Sequence, residues 1–123
     1  MELLVRAFPV LPGMEGHLRQ FADGVAHTRA TEAGELYRRL GVARESWHIQ
    51  ETSIGTWVIA VTQIADRSVD AAGKDYAESD DPFARWFKSQ VVRVTGVDPD
   101  ETPLGPPTEC IFDFQSASRV ESQ

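Results

Sequence analysis

The sequence predicts an α+β domain whose elements run β-α-β-β-α-β. Three observations carry this. Thr56 to Ile64 (TWVIAVTQI) is apolar on both faces, the mark of a central strand in a doubly covered sheet. Apolar residues recur at helical spacing from Glu15 to Leu40. Asp81-Pro82 opens a further helix with an acidic cap and a proline at its first position.

Taken in order, Glu2 to Phe8 (ELLVRAF) is a short apolar strand ended by Pro9, Pro12 and Gly13. The helix from Glu15 carries Leu18, Phe21, Ala22, Val25, Ala33, Leu36, Tyr37 and Leu40 on one stripe, with Gly41 as its stop. Gly24 and Gly34 each weaken it by roughly 1 kcal/mol relative to alanine, and a kink is expected near residues 28–34. Trp47 to Thr52 is strand two, Ser53-Ile54-Gly55 the turn, and Thr56 to Ile64 strand three. Ser68 caps a short helix over Val69 to Ala77. The helix from Pro82 presents Phe83, Trp86, Phe87, Val91 and Val94, and Gly96 closes it. A proline-rich connection from Asp98 to Pro107 leads to a last strand, Glu109 to Gln115. Residues 1–115 make one domain, and 116–123 are expected to fray.

This order is the split βαβ, or ferredoxin-like, arrangement, a four-stranded antiparallel sheet with helices on one face. Strands one and three lie in its centre. Helices can cover only one of its faces, so the other would expose an apolar patch too large for a monomer. A second copy packed face to face with two-fold symmetry covers it, which predicts a homodimer through the open sheet face. Side-chain alternation then assigns faces. Leu3, Val5 and Ala7 would face the helices and Leu4, Arg6 and Phe8 the partner; Trp47 and Ile49 would point inward, with His48, Gln50 and Thr52 opposite. On strand four, Cys110, Phe112 and Phe114 would point inward, with Ile111, Asp113 and Gln115 opposite.

The short first strand followed by proline, the long first helix ending in Gly41-Val42, and the Ser79-Asp80-Asp81-Pro82-Phe83 helix start carry a resemblance over residues 2–115. With this order of elements, the chain resembles the dimeric α/β-barrel superfamily, which includes small monooxygenases, muconolactone isomerases, haem-degrading enzymes and polyketide cyclases. Within it the chain is most similar to a small bacterial family of unknown function. The resemblance implies a homodimer and an enzyme without metal or organic cofactor, of isomerase, cyclase or monooxygenase type. Its substrate would be a small aromatic or polyketide-like molecule. The alternative is a non-catalytic homodimer that binds a small ligand or is structural. The haem-degrading and quinone-forming branches rely on an active-site Asn, and this chain has none.

Two constellations are candidates. The partner-facing set is Arg6, His48, Gln50 and Asp113: His48 as general acid–base, Arg6 stabilising an anionic intermediate, and Asp113 holding Arg6 by an ion pair. The competing reading is a polar network that sets dimer register. The helix-side set is Trp47, Trp57, Tyr37, Trp86 and Arg29, aromatic walls around one cation that suit a planar, partly anionic ligand. Against it stands ordinary core with an arginine whose stem packs and whose head reaches water.

Composition narrows the rest. A net charge of −7 disfavours nucleic acid and anionic membrane as partners. No apolar run approaches a membrane span and the start, MELLVRAFPVLPG, does not read as a signal peptide, so a cytoplasmic location is expected. Cys110 is the only cysteine and reads as an inert core thiol, and His17, His27 and His48 lack metal-ligand spacing, so no metal is predicted.

Overall fold

The computed structural model describes residues 2–116. The elements are β1 (Glu2–Val10), α1 (Glu15–Asp23), a π-helical turn (Gly24–Thr28), α2 (Ala30–Leu40), β2 (Val42–Thr52), β3 (Gly55–Ile64), α3 (Val69–Glu78) and α4 (Pro82–Thr95). The sheet is antiparallel, in the order β1-β3-β2, so the doubly apolar β3 is central as its sequence requires.

Local chemistry sets the boundaries. Ser68 Oγ accepts from Ala71 N at 3.0 Å to start α3, and Asp81 Oδ2 accepts from Ala84 N at 3.3 Å to start α4. Gly41 ends α2 in the left-handed conformation, φ 78°, with the Arg67 side chain packed against it. The expected kink falls at 24–28, where Arg29 N reaches back to Gly24 O at 2.7 Å and inserts one extra residue into the turn. Pro9 does not end β1. Val5 O points to the free edge, where it accepts from Thr108 Oγ1, and Pro9 shares that phase, so its missing N–H lies on the unpaired side.

All four helices pack on one face. Leu36, Ile64 and Val94 are the largest side chains sealed there, and Phe87 is ringed by Phe21, Tyr37, Trp47, Tyr76 and Phe83 with centroids 5.1 to 6.3 Å away. The chain between α4 and Thr108 folds over this layer. Lys88 Nζ ties it down through Asp100 at 3.1 Å while donating to Ala77 O and Ser79 O. Gly105, φ 82°, lies so close to the Phe8 ring that any Cβ there would collide with it.

Two expectations need correction. A fourth strand does not form at the expected place: residues 109–115 lie outside any helix or strand, so among the described residues the sheet has three strands rather than four. Cys110, Phe112 and Phe114 therefore do not pack inward. Ile111, Phe112 and Phe114 are 88%, 82% and 74% exposed, and Cys110 is exposed rather than a core thiol. The second concerns the phase of β1. Leu4 and Val10 are buried and Arg6 and Phe8 half-buried on the helix side, whereas Leu3, Val5 and Ala7 are exposed on the open face. Of the predicted tail only Ser116 is described; 117–123 lie outside the described residues.

Replacing Leu36, 1% exposed, by alanine should destabilise the protein by about 2–5 kcal/mol in urea unfolding. Ile54→Ala, at an 86% exposed turn position, should change stability by less than about 0.5 kcal/mol.

Candidate functional site

The register of the sheet arranges the helix-facing side chains in rows across β1, β3 and β2. One row is Leu4, Thr62 and Glu45; the next is Arg6, Ala60 and Trp47; a third is Phe8, Val58 and Ile49. On the central strand, Ala60 and Thr62 are small. The long side chains beside them stand around a depression that the helices roof over. The result is a cavity of about 130 Å³, walled mainly by apolar side chains from β1–β3, the helices and the loop carrying Pro103 and Leu104. A roughly 150 Å³ apolar cavity accommodates a benzene ring, so this one suits a single six-membered ring.

Glu45 stands in the wall of this cavity. Trp47 Nε1 donates to its Oε2 at 2.8 Å, Tyr37 Oη to the same oxygen at 3.2 Å, and Thr62 Oγ1 to Oε1 at 3.0 Å. No cation neutralises it among the described residues. Burial raises the Glu45 pKa, and the three hydrogen bonds, which favour the charged form, offset that only in part. Burial, and next the nearby Glu45 carboxylate, push the Tyr37 and Tyr76 hydroxyls up in turn.

Arg6 forms the opposite wall, two strands from Glu45, or about 10 Å between backbones. Its Nη1 donates to Thr108 Oγ1 at 3.0 Å and to Val5 O at 3.3 Å, and its Nε is buried without a partner among the described residues. Burial lowers its pKa. An apolar chamber with a protonatable carboxyl on one side and a guanidinium on the other can exchange a proton with a bound molecule and stabilise the anion that results.

The predicted constellations are redistributed. His48 and Gln50 do lie on the open face, exposed, with Ser46 Oγ 3.0 Å from His48 Nε2. Arg6 is on the other side of the sheet, so it cannot work with His48. Asp113 is on the unpaired segment beside Gln115 (Nε2–Oδ2 3.4 Å), so the expected Arg6–Asp113 ion pair is replaced by Arg6–Thr108. In the helix-side set, Trp47 and Tyr37 line the cavity. Trp57 is on the open face, paired with Pro9 and Gln50, because it alternates with Val58. Arg29 is held by Glu32 at 2.8 and 3.1 Å and stacks on Trp86 and Phe83 at 4.5 and 4.9 Å, a rim cluster away from the cavity wall. Glu45 and Thr62 are not among the residues singled out from sequence. Glu45 has the same strand phase as Trp47 and Ile49, and a carboxylate in an inward phase is the signal that marks it.

The chain matches no protein-family model and no curated protein. Among solved structures it is similar to the L-rhamnose mutarotase FA22100 from Formosa agariphila, with a TM-score of 0.63 and 16% identity over 94% of this chain and 100% of that one. That likeness supports the ferredoxin-like α/β fold. No helix among the described residues is long and apolar enough to cross a membrane.

A raised carboxyl pKa has a definite sign in stability. Between the unfolded value and the raised folded value the native state holds more protons than the unfolded one, so stability falls as pH rises. Urea unfolding from about pH 5 to about pH 8 should show the wild type losing stability relative to Glu45→Gln, whose side chain does not titrate. Parallel curves for the two proteins would mean that Glu45 ionises normally.

Proposed function

We propose that the protein is a small isomerase-type enzyme in which Glu45 moves a proton on a single-ring substrate held in the helix–sheet cavity. The observation that carries this is a half-buried glutamate whose carboxyl is desolvated, without a cationic partner among the described residues, in the wall of an apolar cavity of ring size. The Glu45 carboxylate takes a proton from one atom of the substrate and, as the carboxylic acid, returns it to a neighbouring atom. Bonds shift within the substrate and nothing is oxidised or reduced. Arg6, from the opposite wall, stabilises the anion formed between the two transfers. Trp47 and Tyr37 orient Glu45 through the hydrogen bonds they donate. Cofactor-independent chemistry of this kind is what the superfamily resemblance implies.

The lining argues for the substrate class. Leu4, Phe8, Phe21, Leu36 and Phe87 offer no hydrogen bonds, so the hydroxyls of a hexose would lose water without replacement there. A flat ring with polar groups at one edge, aromatic or polyketide-like, meets Glu45 and Arg6 without that cost. The fold likeness to a protein titled an L-rhamnose mutarotase makes a sugar the second reading: in anomer exchange a base takes the proton of the anomeric hydroxyl as the ring C–O bond opens and an acid protonates the ring oxygen, and the reverse steps close the ring on the other face.

The test follows proton exchange by NMR in D2O, using cyclohexane-1,3-dione and 2-acetylphenol as ring probes and L-rhamnose for anomer exchange. The expected result is catalysed exchange on a ring probe that falls by about 10²–10⁴-fold in Glu45→Gln. Catalysis of rhamnose anomer exchange alone would establish the sugar reading. Binding of a ring probe without exchange would identify a ligand-binding protein instead, and neither binding nor exchange would sink the proposal. Ala60→Leu, which fills the floor of the cavity, should abolish probe binding while leaving the circular dichroism spectrum unchanged.

A further inference from the structure

Of the residues that line the cavity, Arg6 is the only cation and Glu45 the only carboxyl. Arg6 is half-buried, and burial lowers its pKa, so its charge is partly stripped of water. Its hydrogen bonds are unevenly spread. Nη1 donates to Thr108 Oγ1 at 3.0 Å and to Val5 O at 3.3 Å, which fixes that end of the guanidinium against the free edge of β1. Nε is buried without an acceptor among the described residues, and Nη2 has none there either.

The two donors left over are a matched pair. A guanidinium is planar, and the N–H of Nε runs parallel to one N–H of Nη2, so this edge meets a planar two-oxygen acid side-on. The same molecule uses that edge elsewhere: Arg29 gives Nε to Glu32 Oε1 at 2.8 Å and Nη2 to Oε2 at 3.1 Å. A buried N–H costs stability until an acceptor reaches it, and a desolvated cation attracts an anion more strongly than a hydrated one. A neutral carbonyl satisfies one of the two donors. An ionised acid satisfies both and the charge as well.

We propose that the Nε–Nη2 edge of Arg6 is a carboxylate site, and that the substrate is accordingly a ring acid rather than a neutral ring. This rests on the reading of the cavity as the seat of a single-ring substrate. The ring lies among Leu4, Phe8 and Phe87, and its carboxylate reaches Arg6 at the β1 wall. Glu45, two strands away, meets the far end of the ring, where the proton is exchanged. When the carboxylate is conjugated with the ring, the charge left by proton removal spreads toward the guanidinium, so one contact serves both binding and the intermediate. Thr108 acts as a positioning residue: its hydroxyl accepts from Nη1 while donating to Val5 O at 2.6 Å, which keeps the other edge of the guanidinium available.

Benzoate and benzamide share a ring and a shape and differ in charge. Titrated calorimetrically into the full chain at about pH 7, benzoate should bind about 10–100-fold more tightly than benzamide, the worth of a charge-assisted pair of hydrogen bonds. Arg6→Gln should remove the preference, and Arg6→Lys, which keeps the charge without the paired donors, should lose about tenfold in benzoate affinity. Ala60→Leu should abolish benzoate binding, which places the site in the cavity. In the wild type itself, the ¹⁵N–¹H signal of Arg6 Nε should move downfield with benzoate and stay in place with benzamide, a readout that depends on no variant's folding. Equal binding of the two probes, binding of neither, an unmoved Nε signal, or a preference that survives Arg6→Gln or Ala60→Leu would each overturn the carboxylate site. The result separates from that of the proton transfer. Catalysed exchange without a preference for benzoate overturns the ring acid alone, and the preference without exchange overturns the isomerase alone.

Discussion

Because all four helices lie on one side of the sheet, each strand position is assigned to one of two very different environments by its parity alone. On the helix side, Leu4, Val58 and Ile64 are sealed, and the small Ala60 and Thr62 on the central strand leave the space that the longer side chains of β1 and β2 surround. On the other side the same strands present Leu3 and Val5 exposed and Ile59 and Val61 half-buried, with no helix over them among the described residues. The cavity and the bare face are thus two results of one arrangement, and neither could be removed without changing the number of layers.

Within the covered face, Glu45 is the position that costs stability. A buried carboxylate loses its hydration, and neutral donors return only part of it, which is why its pKa stays raised despite three hydrogen bonds. An apolar residue at 45 would avoid that cost, though it would leave the Trp47 and Thr62 donors to find other partners. The network is therefore built around the carboxyl rather than the carboxyl tolerated by the network. A desolvated carboxyl in the wall of an apolar cavity is where proton-transfer chemistry is expected to sit.

Much of the framework was legible in the chain. The β2–β3 hairpin, the Ser68 and Asp81 caps and the glycine stops at 41 and 96 are local signals, and each appears where its chemistry requires. What was not legible was how those pieces face each other. Arg6 shares its phase with Leu4 and Phe8, and a charged residue argues for the outward phase; its inward placement reflects the cavity, which no local pattern encodes. Once Arg6 is turned, the His48–Arg6–Asp113 site dissolves. Glu45 is hidden for a related reason: β2 read from Trp47 starts two residues too late to include it, whereas the strand begins at Val42. In the last segment, alternation of Cys110, Phe112 and Phe114 describes a strand correctly as a pattern but says nothing about which edge, or which copy, it pairs with.

Arg6 is the residue through which the two unfinished surfaces touch. Its stem is part of the cavity wall, its Nη1 holds Thr108 where the exposed segment begins, and its Nε is buried without a partner among the described residues. Because Nη1 is committed to Thr108 and Val5 O, the Nε edge is the part of the guanidinium left to meet an acceptor on the cavity side. The same two contacts fix the guanidinium against the free edge of β1, so the position of one side chain depends both on the cavity wall and on the start of the exposed segment.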